Sequence, residues 1–468
     1  MNGMQMIDIA DIHPAPYNPR KITDEAYHEL QGSLRTLGFI LPIIVNADNM
    51  RIVAGHQRTK AATAVGIRKV PVFYVHDVQL ADEIRFNQVH NGIESEPKEL
   101  GAYHGGLEPG RFYTDVPNAD FTETEIQATL TKNMCQLITQ FGDALCAIVC
   151  DGKVCFGNNY VRACQLLGIP VHAYILEPSK AALYNYYFSQ DYGVYCYEHI
   201  DRADYVQGMA QMTNKMLKNS QIYKVALPFL LAEDRRDVSV LDFGCGKAFS
   251  INELHMKMGF HKAIGLEFFN HNRKGISIEK GQRMIDRVIE HVQRYGKFDY
   301  VICDSVLNSV NCMEAHDGVL NTLMLFCRKG GKIFFSGRNA EPLREIYTAK
   351  RDTRTNTYSQ YFPDQDGFTS VMREGQWFFQ KFHTKEQVQA IIDRLGLDVI
   401  ASRRDSGCWQ VGGIKTRELT DEEYMSAIDF EFNMRLPNNQ RYGRHNDIRE
   451  LFGFPRLDTP FEIVEDFV

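Results

Sequence analysis

Short apolar runs closed by glycine or polar turns alternate along this chain with longer stretches of helical periodicity, the pattern of a mixed α/β protein. Near the start, Ile12-His-Pro-Ala-Pro-Tyr-Asn-Pro-Arg20 is punctuated by proline and reads as extended. The pattern then predicts a helix over residues 23–37 with Thr23 as its cap, and strands over 41–46 and 51–53 around a turn. A helix opened by Gly55 and stopped by Gly66 follows, and then a strand over 70–75. The same punctuation returns after residue 131. Gly157-Asn-Asn-Tyr-Val-Arg-Ala-Cys-Gln-Leu-Leu-Gly-Ile169 lies under Gly55-His-Gln-Arg-Thr-Lys-Ala-Ala-Thr-Ala-Val-Gly-Ile67 without a gap, and 147–149 stands where 43–45 stands. Both runs continue into Pro-Val and an aromatic-bearing strand, at Pro71 and at Pro170. The expected organisation is a module over 1–97, a Gly-, Pro- and Asp-rich linker over 98–130, and a degenerate second copy over 131–200.

The pattern changes after residue 200. Helices are expected near 205–217 and 225–231, followed by an apolar strand that ends at Asp242. Gly244 and Gly246 then let the backbone turn tightly, a helix covers 250–258, and a second strand over 263–266 ends at Glu267. Strand, glycine turn, helix, strand and terminal acid make one βαβ unit, with the acid placed to accept hydrogen bonds from ribose hydroxyls. The third glycine of a dinucleotide-binding fingerprint is missing. This module is expected to occupy 201–420, with a carboxy-terminal extension over 421–468. Within it, the polar stretch from Arg338 to Gln376 reads as a long irregular insertion and a candidate acceptor-binding lid.

Two family resemblances follow from these words. Leu241-Asp-Phe-Gly-Cys-Gly246 and Ile264-Gly-Leu-Glu267 resemble the first two motifs of class I S-adenosylmethionine-dependent methyltransferases. Phe298-Asp-Tyr-Val-Ile-Cys-Asp-Ser-Val-Leu-Asn308 resembles their fourth strand with its exit loop, and Lys329-Gly-Gly-Lys-Ile-Phe-Phe335 the turn and fifth strand. The resemblance implies that Gly244 and Gly246 admit the methionine part of S-adenosylmethionine, Asp242 lies near its amino group and Glu267 near its ribose. Asp304 and Asn308 would face the methyl group and the acceptor, as the catalytic candidates. Residues 6–96 resemble the amino-terminal domain of the ParB/sulfiredoxin superfamily, whose Gly-x-x-Arg-x-x-Ala appears as Gly55-His-Gln-Arg58-Thr-Lys-Ala61. That loop implies a nucleoside triphosphate, ATP or CTP, held by Gly55, His56 and Arg58, with Arg20 at another matching position. A glycine at a helix start exposes free N–H groups, and an arginine adds a forked contact to phosphate. The family's later Glu-Asn-x-x-Arg pattern is missing from the helical stretch 84–91, which puts clamp behaviour in doubt. The second copy has Asn158 and Tyr160 in place of His56 and Arg58, so it is expected to be a structural or partner-binding unit. The fold class is therefore two small ParB/sulfiredoxin-like α+β modules followed by a Rossmann-like methyltransferase domain.

Composition narrows the setting. The chain is 468 residues long, enough for two or three domains, and its 44% hydrophobic content is that of a soluble globular protein. No apolar run is long enough to span a bilayer and no signal peptide is legible, so a cytoplasmic, membrane-free protein is expected. The eleven cysteines begin only at Cys135 and form no Cys-x-x-Cys pair, which fits buried thiols in a reducing compartment rather than a metal site. Cys245 reads as a small residue in the glycine turn and not as a nucleophile, and Trp409 as a core or edge packing residue, with stacking on an acceptor base as the alternative. The net charge of −7 gives no global footprint for nucleic acid.

The activity expected is methyl transfer from S-adenosylmethionine to nucleic acid, DNA favoured, or to a nucleotide. The company of a ParB-like module, common in phage and mobile-element DNA modification, is the ground for that acceptor. Asp304-Ser-Val-Leu-Asn308 lacks the Asp/Asn-Pro-Pro-Tyr/Phe of amino-methylating DNA enzymes, and no Pro-Cys pair marks a cytosine-C5 enzyme. Two alternatives stay open. One is a nucleotide-gated DNA-binding or nuclease protein whose methyltransferase fold senses the donor. The other is a methyltransferase of small molecules or proteins, regulated by nucleotide at Arg58.

Overall fold

The computed structural model describes residues 3–18, 20–91, 99–123, 128–188, 194–195, 197, 216–272, 275–345, 357–359, 363–373, 376–405, 407–436 and 438–457. The chain divides into two compact units, residues 1–201 with 343–365, and residues 202–342 with 366–468.

The first unit holds two sheets of identical plan. Strand β1 (Gln5–Asp8), helix α1 (Asp24–Thr36), β2 (Ile43–Asn46), β3 (Arg51–Ala54), α2 (His56–Ala64), β4 (Lys69–Val75) and α3 (Leu80–Asn91) come first. The second set is β5 (Arg111–Val116), α4 (Ala128–Phe141), β6 (Ala147–Cys150), β7 (Lys153–Phe156), α5 (Asn158–Leu167), β8 (Val171–Leu176) and α6 (Ala181–Phe188). The sheet orders are β1-β4-β2-β3 and β5-β8-β6-β7. In each, the first pair is antiparallel, the central pair parallel and the hairpin antiparallel. The hairpins even share an irregularity at one place, between Ile44 and Val45 and between Ile148 and Val149.

Two expectations are corrected here. Residues 98–130 are no mere linker, because Arg111–Val116 is the first strand of the second sheet. Its half-exposed, unremarkable sequence between glycine-rich turns hides it from a periodicity reading. Pro170 is not the counterpart of Pro71 either. Ile43 pairs with Val72 and Ala147 with Ala173, so the register puts His172 under Pro71.

The two modules share one hydrophobic core, in which Ile44, Val53, Phe73 and Phe86 meet Leu137, Ala147, Tyr160 and Val161. Phe73 stacks on His172 with ring centroids 4.7 Å apart. Inside the first module, the carboxylate of Glu83 is fully buried and accepts hydrogen bonds from Asn46 (2.6 Å), Asn49 (3.2 Å) and Arg51 (3.1 Å). With these three donors, one of them the Arg51 guanidinium, it ties α3 to the β2–β3 hairpin.

The second unit is an α/β sheet covered by helices. Its elements are α7 (Gln221–Leu230), β9 (Ser239–Phe243), α8 (Phe249–Met258), β10 (Lys262–Leu266), α9 (Ile278–Tyr295), β11 (Phe298–Cys303), α10 (Met313–Phe326) and β12 (Cys327–Asn339). They continue as β13 (Phe368–Arg373), β14 (Gln376–His383), α11 (Lys385–Leu395), β15 (Leu397–Arg404), β16 (Cys408–Lys415), α12 (Asp421–Glu431) and α13 (His445–Leu451). Strands β10, β9, β11 and β12 are parallel neighbours in that order, and β16 then β15 complete the far edge antiparallel. Between Glu267 and α9 the described chain has only the two-residue strands His271–Asn272 and Gly275–Ile276, so β11, read as a fourth strand, is the third of this sheet.

The stretch after Arg338 is less irregular than its polarity suggests. Phe368–Arg373 and Gln376–His383 form an antiparallel hairpin. Arg338 of β12 is flanked by Cys408 of β16 on one side and Phe382 of β14 on the other. Strand β11 ends three positions earlier, with Cys303 opposite Phe335, so the hairpin continues the sheet past its carboxyl end. The expected helix over 205–217 lies mostly outside the described residues, as does 346–356 of the expected lid. The extension docks on the body of its own unit through Phe432 against Phe268 and a hydrogen bond from the Tyr442 hydroxyl to the Phe268 carbonyl. Among the described residues, no helix is long and apolar enough to cross a membrane.

Replacing Glu83 with alanine leaves Asn46 with the Val78 carbonyl alone as acceptor for its buried amide, and Arg51 without its counter-charge. It is expected to cost about 2–4 kcal/mol in urea unfolding of the first unit, with Glu83→Gln nearer the lower figure.

Candidate functional site

The carboxyl ends of β9, β10 and β11 bring three acids together, and helix α7 holds two of them. Ser220 caps α7, accepting from the Tyr223 N–H at 3.3 Å, and its hydroxyl donates to Asp304 at 2.8 Å. Three residues on, the Tyr223 hydroxyl donates to Asp242 at 2.8 Å. Asp304 also receives the hydroxyls of Ser305 and Ser336, each at 3.0 Å. Ser305 sits at a positive φ of 64°, a conformation costly for a side-chain-bearing residue, and its N–H is fixed by Ser336 at 2.8 Å. Glu267 accepts the Gly246 N–H and the Phe269 N–H, both at 2.8 Å, which seats the glycine turn on the end of β10.

Gly244 has φ 73°, and a Cβ there would lie 2.3 Å from Val306. The turn and the loop after β11 therefore pack against each other with no room for a side chain. Burial, opposed by the Tyr223 hydroxyl and reinforced by the Asp304 and Glu267 carboxylates, pushes the Asp242 carboxyl up to about 7. Burial and the Asp242 and Glu267 carboxylates hold the Cys245 thiol well above its ordinary range. Gly265 is required beside it, since a Cβ there would come 2.6 Å from Cys245 Sγ. Asn308 has its backbone carbonyl fixed by the Lys381 N–H of β14 at 3.3 Å, while its Oδ1 is buried without a partner. Trp409 is core, edge-on to Phe335 and His383.

The structure brings Asp242, Gly246, Glu267 and Asp304 together at the carboxyl ends of β9, β10 and β11, and sets Gly244 and Asn308 on the loops after β9 and β11. Ser220, Tyr223 and Ser336 were not legible as part of it. Ser220 carried a signal, a serine directly before an apolar helical run, but the helix was read as starting four residues late.

The second candidate site is in the first unit. Gly55 caps α2 with φ 102°, and the helix start lines a cavity of about 220 Å³ with Arg20, Arg58 and His90. Arg58 donates to the Leu41 carbonyl. Burial lowers its guanidinium to about 10, still a cation at neutral pH. His90 is held at about 3 by burial and by Arg58, Arg20 and His56, so it is neutral, and its Nδ1 is buried without a partner. His56 is not free to turn toward a ligand through Nε2, which accepts the Ala15 N–H at 3.0 Å and anchors the proline segment. Arg20 is placed by its own carbonyl, which accepts from Gln57 at 2.6 Å. His90 was missed because the helix carrying it was judged by a pattern it does not match.

The corresponding place in the second module is filled from within. Gly157 again caps a helix at φ 87°, but Tyr160 donates to Asp143 at 2.6 Å and accepts the His172 N–H at 3.0 Å. A carboxylate of the chain is fixed beside the residue that replaces Arg58. Gly157 and Tyr160 line a cavity of about 80 Å³ whose other walls are mostly apolar.

A parallel sheet with a glycine turn, paired helices and acids at its carboxyl edge defines a Rossmann-like domain, here preceded by a small α+β module with a helix-start pocket. Residues 1–91 match the family model of the ParB N-terminal domain, and residues 218–402 that of a methyltransferase domain. The chain thus joins a ParB N-terminal domain to a class I methyltransferase domain. A nucleoid occlusion protein of Bacillus thuringiensis is 43% identical over 72 residues, which are 14% of this chain and 25% of that protein. The chain spans about a quarter of the length of the curated relatives it matches. The ParB of Caulobacter crescentus complexed with CTP-γ-S is 26% identical over 19% of this chain and 52% of that one, with a TM-score of 0.18. A putative S-adenosylmethionine-dependent methyltransferase from Listeria monocytogenes is 11% identical, covering 42% of this chain and 97% of its own, with a TM-score of 0.29.

A carboxyl raised to about 7 in the fold binds a proton that the unfolded chain releases near 3.8, so stability falls as pH climbs through that window. Asp242→Asn removes this cost while keeping the acceptor for Tyr223. In thermal or urea unfolding, the variant is expected to gain on the wild type progressively from about pH 4 to about pH 7, by up to about 4 kcal/mol, and to hold that gain above pH 7.

Proposed function

We propose that the protein is an S-adenosylmethionine-dependent methyltransferase. The observation that carries this reading is the convergence of Asp242, Glu267 and Asp304 at the carboxyl ends of neighbouring strands, where burial, reinforced by the other two carboxylates, raises Asp242 to about 7. Such a site is short of positive charge. The donor's ammonium and sulfonium fit it, and its ribose hydroxyls fit the Glu267 carboxylate that already orders the glycine turn. In this reading Asp242, Gly244, Gly246 and Glu267 hold the donor. When bound, it supplies an already activated methyl group, so the chain's task is alignment rather than acid–base work. Asp304, fixed by three serine hydroxyls, and Asn308, with an unpartnered Oδ1, would accept N–H or O–H groups of the methyl acceptor. The β13–β14 hairpin, tied to the Asn308 carbonyl through Lys381, would wall the acceptor's side of the crevice.

The acceptor favoured is nucleic acid, DNA first, or a nucleotide, in a cytoplasmic setting. Its support is the fusion to a ParB N-terminal domain, a warrant of association rather than of site chemistry. At that domain we read the Gly55 helix start, Arg20 and Arg58 as a triphosphate site for CTP or ATP. Cations gathered around a neutral buried histidine at a helix N-terminus suit a polyanion. The repeated sheet plan, shared bulge and αL glycine cap support residues 99–188 as a duplicated module whose site is closed by Asp143.

Calorimetry with S-adenosylmethionine and S-adenosylhomocysteine is expected to show one site, lost in Glu267→Ala. The absence of binding by the intact chain would overturn the enzyme. Label transferred from methyl-labelled donor to DNA, rather than to RNA, nucleotides or protein, is the outcome expected for the acceptor. Arg58→Ala is expected to weaken CTP or ATP binding at least about tenfold in the same instrument.

A further inference from the structure

The helix-start pocket is built by both modules. Besides Arg20, Gly55 and Arg58 it is lined by apolar groups, among them Leu30 and Leu34 of α1 and two phenylalanines of the second module, Phe156 and Phe188. Phe156 ends β7, and Phe188 is the last residue of α6. Their rings lie 6.5 Å apart at 68°, and Phe188 is backed by Tyr184, stacked at 4.4 Å. Tyr184 in turn donates to the Cys155 carbonyl at 3.3 Å, so the two aromatic residues are held as one piece.

That piece is fastened to the first module at two points. The Tyr187 hydroxyl occupies the space above Gly32 of α1, where a Cβ would lie 2.8 Å away. Further along, Val194–Tyr195 pairs antiparallel with Arg20–Lys21, the segment that carries a pocket cation. Phe188 nonetheless remains 36% exposed. A large aromatic ring left partly open beside two arginines is unexplained by core packing, and stacking on a ligand is what such a ring can do.

We propose that the second module supplies the base-binding wall of the nucleotide site, Phe156 and Phe188 taking the heteroaromatic base of a nucleoside triphosphate whose phosphates lie at Gly55–Arg58. The inference rests on the triphosphate reading of that pocket. It gives the degenerate copy a role in ligand binding, and it distinguishes a nucleotide from bare polyphosphate as the ligand.

The test is calorimetry of the full chain with CTP, ATP and inorganic triphosphate, comparing wild type with Phe188→Ala and the volume-keeping Phe156→Leu, each checked for folding by circular dichroism. The wild type is expected to bind one of the nucleotides at least about tenfold more tightly than triphosphate. Either substitution should bring the nucleotide down toward triphosphate while triphosphate binding stays unchanged. Equal wild-type affinity for nucleotide and triphosphate, or nucleotide affinity unaltered in both folded variants, would overturn the aromatic wall and leave the phosphate site standing. Should none of the three ligands bind, the wall and the triphosphate reading fall together.

Discussion

Three times among the described residues the chain leaves a strand through a left-handed glycine and at once enters a helix or a tight turn, and both candidate sites hang on that geometry. At Gly55 and Gly157 a Cβ would press on the neighbouring strand, 3.2 Å from Ile43 and 3.0 Å from Ala147. At Gly244 it would collide with Val306. The positive φ turns the backbone within one residue, so helix N–H groups are delivered to the strand's carboxyl edge instead of being lost in a longer loop. The distances between Arg58 and its pocket, and between Asp242 and Asp304, are consequences of how sharply those corners are cut.

The two sites are electrostatic opposites. In the second unit, burial and neighbouring carboxylates raise Asp242 until it holds its proton near neutral pH. In the first, Arg58 is desolvated, and a histidine is kept neutral by burial and by its cationic neighbours. Each arrangement is unfavourable in isolation and is held by groups whose geometry is otherwise satisfied: serine and tyrosine hydroxyls on one side, backbone carbonyls on the other. On the reading proposed above, a ligand of the opposite charge would relieve each.

Much of this was legible in the residues, and the failures have physical reasons. Asp242, Gly244, Gly246 and Glu267 could be placed because a strand–turn–helix–strand unit is local and its spacing fixes which groups share an edge. Gly55 and Arg58 were legible for the same reason. Ser220, Ser336 and Lys381 were not, because they reach the crevice from α7, β12 and β14, and nothing local in the chain records which hydroxyl or amide ends beside Asp304. Strand β5 was lost to its own composition: Arg111–Val116 lies at a sheet edge, half exposed, and edge strands need not alternate cleanly. The hairpin after Arg338 was hidden similarly, its Thr369, Ser370 and Gln380 being polar yet buried. His90 shows a different failure, a residue passed over because a family pattern was sought in place of the cavity it lines.

The contact between Tyr160 and Asp143 also has a consequence for how a nucleotide would be counted. A pair of modules with two open sites could fill in stages and respond over a wide range of concentration. Here the corresponding place in one half is taken by the chain's own Tyr160 and Asp143. On the reading proposed above, a titration of the pair would have a single step with a stoichiometry of one, with the closed half as a fixed frame. Whatever displacement the ligand produces is measured against it, not shared with it.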